Sequence, residues 1–464
     1  MLTQAARLAR IEPPDQPLPV FRRLRTIVDN PIKAWPRALY RDRIYRSRLL
    51  GRDIIYVMAP DLIRTVLLDD ADSFEKGEVA RRALGPALGD AILIADGSRW
   101  RWQRRAVAAL FRQERIRDFL PDMIAAAERT RDRWQAMPPG AEIDVAHEMT
   151  QTTFDIILTT MLPEHGSIDP DLMERSVTSY LESTSWVIAL VMVGAPRWTP
   201  FPGVYRRHRN RKRLHAMLES LILEARRTPG YGNDLLTHLI NATDPETGRS
   251  MDPIDVRNNL LTFITAGHET TALALTWTLY LLSLHPEIEQ RVKDEIAAVT
   301  GGGPVRPEHI EALGFTNQVI QEAMRLYPPA ALIVREARRD VVLDGEQIRA
   351  GSTVYIPVYA VHRHEKLWSD PDRFDPNRFE PEAAKTRDRC SYLPFGAGPR
   401  ICVGQGFAQM EAAAVLATLL RSFQLELRPR YTPEPRLRVT LRPAAGMPMR
   451  ITGSTRESRQ AGGN

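Results

Sequence analysis

The sequence predicts one large domain, mainly α-helical with small β-sheets. Three observations carry that prediction. Apolar residues recur at helical spacing over most of the chain, strand-like runs are few and short, and one helical stretch, 254–284, is apolar nearly all round. Helical spacing covers 100–112, 120–136, 145–161, 210–227, 254–284, 286–298 and 316–326. At 1.5 Å per residue the stretch 254–284 reaches about 45 Å, too long for the surface of a small domain, so it should run through the core. Pro286 suits the first turn of the next helix, where a missing N–H costs nothing.

The strand-like runs are Asp53–Val57, Asp340–Leu343, Thr353–Pro357, Phe423–Arg428 and Arg436–Leu441. Between them, 364–401 is dense in Pro, Asp, Arg and Gly. It also carries Trp368, Phe374, Phe379, Tyr392 and Phe395, so it should be irregular yet ordered. No internal repeat is visible. The expected domain is 1–464, with a core over about 35–452 and flexible tails, the last beginning at Gly453.

Composition bounds the function. Of 464 residues, 43% are apolar, enough for a large core. The net charge is +6, from 63 basic and 57 acidic residues, which is small for this length and gives no nucleic-acid signature. The densest basic stretch, Arg206–Arg213, reads as a solvated helix face, with a membrane surface or an acidic partner as the alternative. Two cysteines, Cys390 and Cys402, argue against a disulfide framework and fit a reducing compartment. The N-terminus has no apolar run long enough for a signal peptide or a membrane span of roughly 20 residues. A cytoplasmic protein without a transmembrane segment is expected.

The chemistry gathers in four places. The first is Phe395-Gly396-Ala397-Gly398-Pro399-Arg400-Ile401-Cys402-Val403-Gly404, just before a helical run from Gln405 to Leu420. Backbone N–H groups and the positive helix end there favour a thiolate. Glycines let the backbone approach a flat ligand, Phe395 can shield the sulfur, and Arg400 supplies a cation. Cys390 lacks such a setting and reads as a packing residue. The second is the pair Glu322 and Arg325, at i, i+3 on one helix face. The third is Ala266-Gly267-His268-Glu269-Thr270 inside the long apolar helix. A Gly costs about 1 kcal/mol there, and a charge and hydroxyls breach the helix pattern as functional sites do. The small residue leaves room for a ligand or a widened turn; His268 reads as a packed or hydrogen-bonding group. The fourth is Trp100 and Arg104 at the spacing Trp-x-x-x-Arg, with Arg335 following Tyr327-Pro328-Pro329.

Together, and in this order, these motifs resemble the cytochrome P450 family over roughly residues 35–452, in the form of its soluble bacterial members. The resemblance implies a P450 fold with the long helix over a haem b. Cys402 would be the thiolate ligand of the iron, cradled by Phe395, Gly396, Arg400 and Gly404. Trp100, Arg104, Arg335 and Arg400 would hold the haem propionates, two carboxylates that call for several cations. Ala266 and Gly267 would lie against the haem, Thr270 would hydrogen-bond bound dioxygen, and Glu269 would help relay protons. Glu322, Arg325 and Arg378, the last from Phe374-Asp375-Pro376-Asn377-Arg378-Phe379, would form a buried triad supporting the cysteine loop.

The implied activity is monooxygenation of a hydrophobic organic substrate such as a fatty acid or terpenoid. Its pocket would be lined by Ile92, Leu93, Ile94, Phe263, Ala266, Thr270, Ala331, Leu332, Ile333 and Val439. Electrons would come from NAD(P)H through a reductase and a separate ferredoxin or flavodoxin, docked on the cysteine-loop face beside Arg101, Arg104 and Arg105. A monomer is expected. Three alternatives stay open: the same fold driven by peroxide, a haem sensor or carrier without turnover, and a helical interaction protein without a cofactor.

Overall fold

The computed structural model describes residues 8–49, 51–162, 169–192, 194–227 and 234–452. Helices Gly97–Ala108, Leu120–Gln135, Val145–Met161, Pro253–Leu284, Pro286–Thr300, Gly314–Leu326 and Gln405–Leu420 form where helical spacing places them. The helix expected over 210–227 begins earlier, at Val204. Its first turns hide their periodicity because two inward positions are polar, Arg207 and Asn210. Arg207 is 5% exposed; it donates to Ser183 Oγ at 2.8 Å and lies 3.9 Å over the Tyr180 ring. The basic stretch is therefore not wholly a solvated face.

The long helix, Pro253–Leu284, crosses the core. Asp252 caps it by accepting from the Asp255 N–H at 2.7 Å, and Pro253 fits its first turn. It ends at His285, before Pro286. Helix Val145–Met161 runs against it, and the Thr153 hydroxyl donates to the His268 carbonyl at 2.7 Å. Near its far end Trp277 stacks on Tyr327, centroids 4.1 Å apart, and donates its Nε1–H to Leu441 O at 3.1 Å.

The largest sheet orders its strands Ile44–Leu49, Arg52–Val57, Thr353–Ile356, Ile333–Ala337, Phe74–Glu75. All neighbours are antiparallel except Arg52–Val57 with Thr353–Ile356. A three-stranded sheet joins Glu142–Asp144, Pro448–Thr452 and Gln424–Leu427. The run Arg436–Leu441, expected as one strand, is a hairpin of Pro435–Leu437 and Leu441–Pro443. Its alternation continues through the turn, so periodicity alone hides the reversal.

The packed chain begins before residue 35. The Ala9 N–H donates to Tyr280 Oη at 3.0 Å, and the Tyr327 hydroxyl donates to Ala9 O at 2.6 Å. Asn30, fully buried, donates to Pro435 O at 2.9 Å and accepts from Leu437 N–H at 3.1 Å. Such main-chain contacts leave no trace in apolar spacing. The tail expected from Gly453 lies outside the described residues. Among those described, no helix is long and apolar enough to cross a membrane.

Candidate active site

The cysteine loop is built on two glycines with positive φ. Gly396 sits at +76° and Gly398 at +73°, and a Cβ on Gly398 would collide with the Leu67 carbonyl. The Cys402 N–H closes the loop on Phe395 O at 2.9 Å, and helix Gln405–Leu420 follows. The Cys402 side chain is accessible, but onto an internal cavity of about 330 Å³ rather than the outer surface. Burial pushes its thiol upward, against a hydrogen bond from the Gly404 N–H and the charge of Arg104. The loop was expected to favour the thiolate. It contributes those two groups, and burial opposes them. Cys390 is 4% exposed, and burial raises its thiol to about 11, in keeping with a packing role.

Across the cavity from Cys402 lie Ala266, Gly267 and Thr270 of the long helix, with Phe263, Ile92 and Leu93 beside them. The helix holds α geometry through this stretch, with no widened turn. Gly267 has another cause: a Cβ there would come within 2.7 Å of Ile157 Cδ1, so the glycine permits close helix packing. Thr270 Oγ1 donates to Ala266 O at 2.8 Å. His268 faces away; its Nδ1 meets Ile264 O at 2.8 Å, its ring packs edge-on to Phe154, and burial lowers its basicity. Glu269 lies outside the cavity lining. It pairs with Arg442 and accepts from Thr440 Oγ1 at 3.0 Å, both on the 435–443 hairpin. Arg442 went unread in the sequence, since nothing there links a hairpin arginine to a helix glutamate.

Several expected lining residues are elsewhere. Ile94 faces a second cavity with Tyr180 and Arg207, on the far side of the 89–94 segment. Ala331, Leu332, Ile333 and Val439 do not line the first cavity, whereas Pro329 and Ala330 do. Ile333 is in the sheet, near Gly396. Phe111, Ile157 and Met161 complete the apolar wall. Their helical spacing marks them as buried but not as facing a void.

One edge of the cavity is crowded with cations. Trp100, Arg104, Arg400 and Lys76 line it, and Arg335 lies close behind. Arg400 sits 4.4 Å over the Trp100 ring, donates to Ala95 O at 3.0 Å and pairs with Asp96. Asp96 also pairs with Arg81. Arg104, Arg335 and Lys76 have no carboxylate within ion-pair distance among the described residues. Burial lowers Arg335 to about 10, with repulsion from Arg400 adding to it. Burial, then repulsion from Arg335 and Arg400, lowers Lys76 to about 7. Such an excess of half-buried positive charge fits a dianionic ligand. Lys76 was missed because a lone lysine after a strand carries no pattern. Arg101 and Arg105, expected on a donor-docking face, are paired with Asp72 at 2.8 Å and Asp244 at 2.7 Å, and Arg104 faces the cavity.

Behind the loop the triad assembles. Arg325 holds Glu322 through two hydrogen bonds, of 2.6 and 2.7 Å, with both side chains fully buried. Its remaining donors go to His362 O, Pro371 O and Arg373 O at 2.7–2.9 Å. Arg378 Nε lies 3.5 Å from Glu322 Oε1, and the Asp375 N–H donates to the same oxygen at 2.9 Å. His362, not foreseen, joins this cluster to the loop. Its Nδ1 meets Arg325 O at 3.2 Å, and its Nε2 accepts from the Leu393 N–H at 2.7 Å. Burial, then the charge of Arg325, lowers it to about 3, so it stays neutral and can accept.

The donor set fits a haem. No group of three His, Cys, Asp or Glu able to hold a metal occurs among the described residues. Cys402 would give an iron one ligand, and a haem macrocycle would bring the others. Its two carboxylates would meet the cations at the edge.

The comparisons with known proteins agree. The family model Cytochrome P450 matches residues 13–448. The chain is 32% identical to cyclooctat-9-en-7-ol 5-monooxygenase of Streptomyces melanosporofaciens, covering 80% of each chain. It is 30% identical to pentalenene oxygenase of Streptomyces avermitilis, covering 85% of this chain and 87% of that one. The crystal structure of the cytochrome P450DA haem domain superposes with a TM-score of 0.83 at 25% identity, covering 97% of this chain and 99% of that one. With a cysteine loop facing the long helix across one cavity, and a family match over nearly its whole length, the chain belongs to the cytochrome P450 family, the haem-thiolate monooxygenases.

Proposed function

We propose that Cys402 is the iron ligand of a haem b and that the cavity above it hydroxylates an apolar, terpenoid-like molecule. The observation that carries this reading is the placement of Cys402 opposite Ala266, Gly267 and Thr270 in one apolar cavity with a cationic edge. Bound there, the haem would supply dioxygen activation and C–H oxidation, with the Cys402 thiolate as electron donor.

The chain's residues do the rest. The Gly404 N–H shares the charge of sulfur. Lys76, Arg104, Arg335 and Arg400 take the propionates, with Trp100 under Arg400. Ile92, Leu93, Phe111 and Phe263 exclude water and press the substrate toward the haem. Thr270 keeps a proton at Oγ1, parked on Ala266 O, for dioxygen. Glu269, held by Arg442 and Thr440 at the outer end of the helix turn, passes protons inward. Electrons come from NAD(P)H through a reductase and a ferredoxin or flavodoxin, and the enzyme works as a cytoplasmic monomer.

Two relatives are named for oxygenating cyclooctat-9-en-7-ol and pentalenene, so terpenes are the first class to test and fatty acids the second. The test is the carbon-monoxide difference spectrum of the reduced protein, read for the haem-thiolate band, with a substrate screen by spin-state shift. Cys402→Ala is expected to lose that band while keeping the fold. A normal thiolate band in Cys402→Ala overturns the assignment, and a spin shift with fatty acids but no terpene overturns the substrate class.

A further inference from the structure

The helix after the cysteine loop carries a carboxyl group without a partner among the described residues. Glu411 is fully buried, and neither of its oxygens meets a hydrogen-bond partner there. It lines the same cavity as Cys402, on a wall with Ile320, Met324, Ala408 and Ala412. Facing it from the long helix is Thr271, which also lines the cavity; its buried hydroxyl also lacks a partner. Thr271 departs from its neighbours. Thr262, Thr270, Thr276 and Thr278 each donate to the carbonyl one turn back, at 2.7–2.8 Å. Thr271 does not, and its hydroxyl is left for Glu411.

Among the described residues no charge acts on Glu411. Burial raises its acid to about 8, and only the Thr271 hydroxyl opposes that. Several charged groups of the packed elements are paired elsewhere. Glu322 and Arg325 bind each other, and Glu269 binds Arg442. On Leu120–Gln135, Arg129 pairs with Asp155, Arg131 with Glu128 and Arg133 with Glu148. Arg117 pairs with Glu311, and Lys293 with Glu289. An ionised carboxylate without a donor or cation in such a place is strongly disfavoured. An un-ionised acid instead needs one acceptor for its proton.

We propose that Glu411 is an un-ionised carboxylic acid in the folded enzyme and donates its proton to Thr271 Oγ1, clasping the cysteine-side helix to the long helix one residue beyond Thr270. Glu411 is then a positioning residue: it fixes the register in which Thr270 faces Cys402. The inference rests on reading the cavity as the haem site. It fails separately from that reading, because the haem-thiolate band reports the reading and the measurements below report the clasp.

The experiment is infrared difference spectroscopy of the haem-loaded enzyme, wild type against Glu411→Gln. The expected result is a carbonyl stretch of an un-ionised acid, downshifted in deuterium oxide, absent from Glu411→Gln and moved to higher frequency in Thr271→Val. Carbon-13 labelling of glutamate identifies the band in Thr271→Val alone, should Glu411→Gln take up no haem. A second readout is the haem reduction potential against pH. Ionisation of Glu411 beside the haem should lower the potential as pH rises, with loss of the carbonyl band over the same range. The Thr271 hydroxyl accepts from the un-ionised acid and can turn to donate to the carboxylate, the stronger of the two bonds, so its loss in Thr271→Val should shift both to higher pH. Absence of the band at neutral pH, a band unmoved in Thr271→Val, or a potential that ignores the loss of the band overturns the proposal.

Discussion

Two clusters of charge stand on either side of the cysteine loop, and they are finished differently. The Glu322 cluster closes on itself: the carboxylate takes Arg325, Arg378 and the Asp375 N–H, and Arg325 spends its other donors on three carbonyls. The cavity edge does not close. Arg400 shares Asp96 with Arg81, and Lys76, Arg104 and Arg335 have no carboxylate partner among the described residues. A cluster that supports the fold satisfies its charges within the chain. A cluster that binds leaves a deficit of the ligand's sign.

The strongest way to break this contrast is Arg325→Leu. It strands Glu322 in a dry interior and should cost about 3–5 kcal/mol, read as a lower urea midpoint and loss of haem uptake. Arg335→Leu should act oppositely on the fold, because it relieves repulsion on Lys76 and Arg400. The urea midpoint of the haem-free protein should hold or rise, while haem retention weakens about 10- to 100-fold in a transfer assay, for a charged hydrogen bond of about 1.5–3 kcal/mol. A fall in stability without a change in retention would place Arg335 in the first class.

Smaller effects sharpen the same point. Lys76 is neutral above about pH 7 when no anion faces it. A propionate would restore its charge, so haem binding takes up a proton between that pH and the ordinary lysine range, and affinity must fall as pH rises there. The expected slope is at most about tenfold per pH unit, and Lys76→Met should flatten it. Least affected should be the stability of Arg442→Gln. The pair with Glu269 is partly exposed and worth about 1 kcal/mol or less. Product yield per NAD(P)H consumed should drop nonetheless, if Glu269 needs that partner to hold its place in the proton path.

Much of this could be read from the chain, for a physical reason. The cysteine loop and the Glu322–Arg325 pair are local patterns, whose meaning sits within ten residues of sequence. The helices were legible because burial imposes their period. Lys76, His362 and Arg442 were not, because each acts across a fold-made gap and is a lone residue in its own segment. The pocket lining failed for Ile94, Ala331, Leu332, Ile333 and Val439, because apolar spacing tells that a side chain is buried but not what it faces. The helix start at Val204 was hidden by a buried arginine that spacing counts as surface.

The ties that hold residues 9 and 30 bear on the order of folding. Ala9 meets partners 271 and 318 positions away, and Asn30 meets the hairpin across 405 and 407 positions. While the chain is being synthesised, Asn30 cannot meet the hairpin until almost all of the chain has emerged. Contacts of such long range are slow to form. The segment around Asn30 should therefore lock last, sealing a core already assembled around the long helix.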